Sequence, residues 1–277
     1  MANPLPQHPV LSEGVTVEIG GVFNVRSFGG HPSNLKPNCW TRNGLIYRSG
    51  HLKDITSQGM KQIRDLGVST IIDLTNSGET KTLFSGTSNL SQCRVLNFPL
   101  AKRGFSVQQL VDKYKRYLDE GEKAIAEGYL NLLIEGHQVI RDILFLIRDH
   151  PSDVFLIHCA MGKDRTGVLF AVLLSLAGVS DDAIADEYSR SELALEAALP
   201  EIAAAIKKAM PTVTDADALG RAMIVIQTRK EAMLLMLQMV VDRFGGMVLY
   251  LKNCCGIGAK DLQLLQDLLT FTTKSTE

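Results

Sequence analysis

Apolar positions in the first hundred residues fall in short runs bounded by glycine, proline and polar clusters, a pattern of β-strands rather than long helices. Such runs lie at Val15 to Val25 around Gly20 and Gly21, at Gly44 to Arg48, at Ser69 to Leu74 and at Arg94 to Phe98. Between the second and third, Thr56 to Leu66 opens on a hydroxyl suited to cap a helix and is followed by Gly67, where a helix would stop. The result is a strand, helix, strand unit. Beyond Ser106 the period lengthens to that of helices: Ser106 to Gln109 fits a capping box, and an amphipathic segment runs from Ala124 to Arg148. Val154 to Ile157, bounded by Pro151, Ser152 and Asp153, predicts a buried central strand. Everything after Thr166 reads as helical: Asp181 to Lys208 with a break at Pro200, Asp215 to Phe244, and Ala259 to Phe271. This order predicts an α/β fold, a central mixed sheet flanked by many helices with a helical C-terminal half. Residues 1–277 are expected to form a single domain, with 1–15 as an N-terminal extension.

Composition narrows the function classes. The chain has 277 residues, 45% of them hydrophobic, which is enough for a large core and excludes a disordered or disulfide-framed chain. Lys and Arg number 29 against 30 Asp and Glu. With that balance no global field attracts nucleic acid or anionic membranes, so any anion must be caught by a local cluster. The five cysteines, Cys39, Cys93, Cys159, Cys254 and Cys255, form no disulfide framework and no metal-ligand spacing. They suggest a reducing, cytoplasmic setting with neither metal nor cofactor. The N-terminus shows no secretory signal, and the longest apolar run, Val168 to Val179, is too short to span a bilayer, so no transmembrane segment is expected.

One segment carries chemistry: His158, Cys159, Ala160, Met161, Gly162, Lys163, Asp164, Arg165, Thr166 and Gly167. A strand, a loop and a helix in succession gather backbone N–H groups and the positive end of a helix dipole around one point, a phosphate-sized anion site. Arg165 adds a planar fork able to bind two phosphate oxygens. A cysteine at the base of that cradle lies among N–H dipoles and cations, which predicts a thiolate nucleophile. In-line attack of Cys159 on phosphorus would give a cysteinyl-phosphate, with Ala160 to Lys163 and Arg165 binding the oxygens. Thr166 is placed to offer its hydroxyl to the sulfur. His158 is expected to fix the loop rather than act as a base.

His-Cys-x5-Arg-Thr-Gly resembles the signature loop of the cysteine-dependent phosphatase superfamily, and the form with Lys163, Asp164 and Arg165 resembles its atypical tyrosine/serine phosphatase family, which includes phosphoinositide phosphatases. Phe23 to Arg26 with Gly29 and Gly30, Leu45 to Gly50, Gly67 to Leu74, Asn97 to Leu100 and Gly178 to Ser191 resemble further blocks of that family in the same order. The resemblance implies a cysteine-phosphatase-like fold. The Trp-Pro-Asp pattern of other relatives is missing, since Trp40 is followed by Thr41 and Arg42, and resemblance to the Lys-Asp-Arg subgroup implies that the loop's own Asp164 protonates the leaving group. Asp73 is the second candidate acid and Asp112 the third, although Asp73 reads better as a strand-end carboxylate ordering Arg48 or a turn. Where relatives continue Asp-Leu with Arg, this chain has Thr75, so the contact that arginine makes elsewhere is absent or replaced here.

The expected function is a phosphomonoester hydrolase acting on phosphotyrosine in proteins, extending to dual specificity, with a phosphoinositide or inositol-phosphate substrate as the alternative. An inactive phosphate-binding module is disfavoured by the presence of both Cys159 and Arg165. Lys163 is open between a second substrate cation, suited to an inositol ring, and a neutraliser of Asp164. Arg48 is expected to anchor the loop. Lys102 and Arg103 could line the rim, Cys39 or Cys93 could protect Cys159 by a reversible disulfide, and Met233, Met236 and Met239 read as core. Leu193 to Met210 reads as plain helical packing rather than a lid.

Overall fold

The computed structural model describes residues 16–76, 92–101, 113 and 116–273. The expected capping box at Ser106, the basic pair Lys102 and Arg103, Asp112, the N-terminal extension and most of the segment after Asn76 lie outside these residues.

A five-stranded sheet forms the centre, built from β1 (Arg26–Ser27), β4 (Ile46–Ser49), β5 (Thr70–Asp73), β6 (Arg94–Asn97) and β7 (Phe155–His158) in the order β1-β4-β7-β5-β6. β1 runs antiparallel to β4, and the rest are parallel, so β7 is the middle strand, as its unbroken apolar run predicts. In register, Ile46 and Thr70 flank Phe155, and Ser49 and Asp73 flank His158. Side-chain alternation divides the core in two. Tyr47, Ile71 and Leu156 face one way, onto Ile19, Val25, Leu52 and Ile63. Ile63 comes from α1 (Ser57–Asp65), which Thr56 caps through Gly59 N and which ends at Gly67 with φ +75°. Ile46, Ile72, Phe155 and Ile157 face the other way into the larger core.

That larger core is helical. α2 (Glu122–Asp149) and α3 (Asp164–Leu176) pack against each other, and α4 (Asp181–Ser189), α8 (Lys230–Phe244), α9 (Met247–Asn253) and α10 (Ala259–Leu269) enclose them. α3 is buried along nearly its whole length, which explains its continuous apolar sequence. Met233 and Met236 are fully buried, as core positions should be. Between α4 and α8 lie the short α5 (Ser191–Leu195) and a helical hairpin of α6 (Leu199–Ala209) and α7 (Asp215–Ile226), α7 being opened by a Thr214/Asp217 capping box. α6 buries none of its residues.

Several boundaries differ from expectation. Residues 16–25 form a turn with the isolated bridges Thr16/Arg26 and Ile19/Val22 rather than a strand. The break expected at Pro200 falls just before it, where a 3-10 turn at Glu196–Ala198 interrupts the helix, and Pro200 sits in the first turn of α6, where its missing N–H costs nothing. The helix expected over 215–244 is interrupted at Gln227 to Arg229. Strands at β2 (Pro32–Ser33), β3 (Cys39–Thr41) and β8 (Thr270–Thr272) form a second sheet, where a helix was expected to reach Phe271. Three residues are too few to display a period, so only pairing in space makes these segments strands.

Phe170 on α3 lies edge-to-face with Phe28, centroids 6.1 Å apart, and the Arg48 guanidinium lies 4.9 Å from its ring centre. Phe170→Ala removes a wholly buried ring from the centre of the larger core and is expected to destabilise the fold by about 3–5 kcal/mol in denaturant unfolding.

Candidate active site

The parallel strands end on one edge, at Ser49, Asp73, Asn97 and His158, and beyond the middle strand the chain forms the loop Cys159 to Lys163 before entering α3 at Asp164. The loop therefore sits at the carboxyl end of the sheet with a helix N-terminus aimed at it, the position where open α/β sheets bind anions. Cys159 is buried at its base, and Arg165, in the first helical turn, is half-buried.

The orientation of the loop's peptides is fixed from outside. Ala160 O accepts from His51 N (3.0 Å), Met161 O from Asn24 Nδ2 (2.9 Å), and Gly162 O from Asn24 Nδ2 (3.1 Å) and Arg48 Nη2 (2.5 Å). In a trans peptide the N–H points opposite to the C=O. With three successive carbonyls fastened outward, the N–H groups of Met161, Gly162 and Lys163 turn to the inner side of the loop. Gly162 has φ +64°, and a Cβ there would stand 2.3 Å from Ser49 O, so only glycine lets the loop lie this close to the end of β4. Arg48 thus anchors the loop as expected. Asn24 performs a similar task that the sequence did not single out, its only signal being its place in the Phe23 to Arg26 block.

His158 is fully buried, with Nδ1 3.3 Å from Cys159 O and 4.0 Å from Asp73 Oδ1. Burial lowers its pKa against the opposing pull of Asp73, which keeps the ring neutral and in a fixing position. Asp73 orders a turn: it accepts from Thr75 N (2.9 Å), from Thr75 Oγ1 (2.7 Å) and from Asn97 Nδ2 (3.2 Å). Of the two partners expected for it, the turn is present, whereas Arg48 pairs with Glu187 at 2.5 Å. Thr166 Oγ1 is buried without a hydrogen-bond partner among the described residues, so the expected bond to the Cys159 sulfur is not formed.

Asp164 lies in a dense network. Its Oδ1 accepts from Tyr129 Oη (2.6 Å) and its Oδ2 from Lys113 Nζ (3.4 Å), with Lys163 Nζ 3.7 Å from Oδ1. Burial disfavours the carboxylate, yet Lys113, Lys163 and the Tyr129 hydroxyl outweigh it and hold Asp164 well below the usual carboxylate range. Lys163 is itself almost wholly buried, donating to Val225 O (2.5 Å) and Gln227 O (3.0 Å) at the carboxyl end of α7. It therefore neutralises Asp164 and caps a helix; its ammonium is spent within the fold. The hairpin is held over the loop by this contact, by His51 Nε2 against Glu201 Oε1 (3.1 Å), and by an apolar cluster of Met161, Phe23, Leu195, Leu199, Ile202 and Ile226. The segment expected to pack as a plain helix, Leu193 to Met210, thus partly covers the site.

Neither proposed redox partner sits beside the loop in the sheet. Cys93 precedes β6, at the opposite end from Cys159, and bonds to Val68 O (3.3 Å), while Cys39 pairs with Thr272 in the second sheet. His51, Asp54 and Glu201 form a cluster of potential metal ligands near the hairpin, two of the three exposed. No single helix among the described residues is long and apolar enough to cross a membrane.

A model of the tyrosine phosphatase family matches residues 17–271. The chain is 25% identical over 210 residues to the triple specificity protein phosphatase PtpB of Mycobacterium tuberculosis, covering 63% of this chain and 68% of PtpB. It is 33% identical over 73 residues to a tyrosine-protein phosphatase of Nostoc commune, covering 26% of this chain and 25% of that relative. Among solved structures, P. aeruginosa TpbA aligns at a TM-score of 0.33 and 19% identity over 70% of this chain and 96% of its own. The catalytic domain of the PP-IP phosphatase Siw14 from S. cerevisiae aligns at 0.32 and 18% over 64% and 84%.

Because the pKa of Asp164 is lowered by folding, its ionised form stabilises the protein above the ordinary aspartate value of about 3.9, and that contribution is lost progressively as pH falls below it. Urea unfolding should therefore show Asp164→Asn less stable than wild type at neutral pH, with the gap narrowing at about pH 3.

Proposed function

The chain belongs to the tyrosine phosphatase family, and from that premise we propose that it hydrolyses phosphate monoesters at Cys159, with phosphotyrosine in proteins as its substrate class. The observation that carries this reading is the outward fastening of the Ala160, Met161 and Gly162 carbonyls. It turns a row of N–H groups to the inner side of the loop that starts at Cys159 and leads into the N-terminus of α3. Donors fixed in advance stabilise developing charge without reorganisation.

In the proposed reaction the Cys159 sulfur attacks phosphorus, an S–P bond forms and the P–O bond to the leaving group breaks. The loop amides and Arg165 hold the equatorial oxygens meanwhile. Asp164, which takes up a proton from solvent as the substrate binds, gives it to the departing oxygen. A bound phosphate dianion adds negative charge beside this carboxylate, raising its proton affinity from the low value of the free site. Water then attacks phosphorus, its proton returns to Asp164, and the sulfur leaves as thiolate with the Thr166 hydroxyl available to it.

The state of Lys163 favours a substrate with one phosphate. A polyphosphorylated inositol ring needs further cations around the loop, and Lys163 is occupied by two carbonyls and Asp164. PtpB bears the name triple specificity protein phosphatase, so breadth beyond phosphotyrosine is the second reading.

Initial rates on a phosphotyrosine peptide are expected to exceed those on a phosphoinositide panel, and the reverse order would overturn the substrate class. Cys159→Ser should abolish turnover. Asp164→Asn should slow poor leaving groups far more than good ones, and equal slowing across a leaving-group series would move the acid role elsewhere.

A further inference from the structure

Burying a carboxylate is costly unless charged partners meet it. Glu187, on α4, is 2% exposed and lies beyond the loop and α3, its only sequence signal being its place in the Gly178 to Ser191 block. Its two oxygens serve two arginines that are themselves wholly buried: Oε1 accepts from Arg26 Nε (3.0 Å) and Oε2 from Arg48 Nη1 (2.5 Å). Arg26 Nη2 also bonds to Glu187 O (3.1 Å) and Ser191 Oγ (2.9 Å). Each arginine then continues to the loop. Arg48 reaches Gly162 O directly, while Arg26 Nη1 donates to Asn24 Oδ1, whose amide nitrogen donates to Met161 O and Gly162 O.

We propose that Glu187 is a positioning residue for the phosphatase reaction, holding Arg26 and Arg48 as two arms that turn the peptide planes of the loop toward the phosphate. This inference rests on the reading of Cys159 and its loop as the reaction site. The geometry requires the carboxylate in particular. Two guanidiniums side by side repel, and only a group with two acceptor oxygens joins both while leaving their remaining N–H groups free for Asn24 and Gly162. Burial pulls Arg26 down to about 10, still a cation at neutral pH, and Arg48 with Arg26 keeps Glu187 ionised against its own burial. The three groups together leave one net positive charge beneath the anion site. Glu187→Gln keeps the volume but offers one acceptor oxygen in place of two, so one arm must let go.

The deciding measurement is competitive inhibition by inorganic phosphate together with kcat, made on protein whose fold is checked by circular dichroism and denaturant unfolding. A role confined to stability leaves the phosphate affinity of the folded molecules unchanged. Glu187→Gln is expected to weaken phosphate at least about tenfold and lower kcat at least about tenfold, with the folded spectrum retained. Asn24→Gly, which tolerates the φ of +58° at that position and cuts only the Arg26 arm, is expected to weaken phosphate by a smaller factor. A folded Glu187→Gln protein with wild-type phosphate affinity overturns the proposal. Should Glu187→Gln fail to fold, wild-type phosphate affinity in Asn24→Gly overturns it instead. Wild-type protein that neither binds phosphate nor turns over phosphotyrosine would overturn the phosphatase reading itself, a result distinct from either variant outcome.

Discussion

The orientation of three peptide groups, Ala160 to Gly162, is the constraint on which the site depends. Left to itself, a loop after a buried strand would satisfy its carbonyls with whatever donors were near, and its N–H groups would point in several directions. Here donors come from two separate parts of the chain: Asn24 before β1, and the segment of β4 and its end, which supplies the Arg48 side chain and the His51 backbone N–H. Each holds a carbonyl on the outer side, and planarity of the peptide sends the partner N–H inward. The candidate anion site is thus shaped by bonds on the outer side of the loop.

Holding those donors demands charge in the core. Arg26 and Arg48 are more deeply buried than arginine tolerates alone, and Glu187 compensates them. The arrangement explains why α4 packs where it does. Arg48 occupies the face of β4 that carries Ile46, turned to the larger core, and α4 brings Glu187 to meet it. The same helix presents Tyr188, whose hydroxyl lies 2.6 Å from that of Tyr129, the donor to Asp164. One helix therefore serves the loop through Glu187 and the candidate acid through Tyr188.

Lys163 shows how a residue's chemistry can be redirected by what packs above it. Its neighbours in sequence invite reading it as a substrate cation. The hairpin of α6 and α7 closes over the loop and offers carbonyls at the end of α7, and a buried ammonium takes them because three donors must be satisfied somewhere. With Lys113 it keeps Asp164 ionised in the free site, so the proposed proton donation by that residue would depend on the charge a substrate brings.

Much of this protein is legible in its sequence because the signals are local. The strand and loop from Val154 to Lys163, the buried helix that follows, the capped helix after Thr56 and the identity of Cys159 and Arg165 all follow from periodicity, capping and the spacing of one motif. The strands of the second sheet, the break at Gln227, the hairpin over the loop and the partners of Arg26, Arg48 and Lys163 do not, because they are made between residues from tens to well over a hundred positions apart. Glu187 is the clearest case: the Gly178 to Ser191 block contains it without saying what it touches, and its partners appear only when the fold sets its two oxygens between two buried guanidiniums. The chain alone marked the candidate chemistry, since the proposed nucleophile Cys159, the cation Arg165 and the loop between them are written in consecutive residues. The tertiary structure decided which way the peptides face and which charges remain available, since orientation and burial are properties of neighbours that sequence distance does not encode.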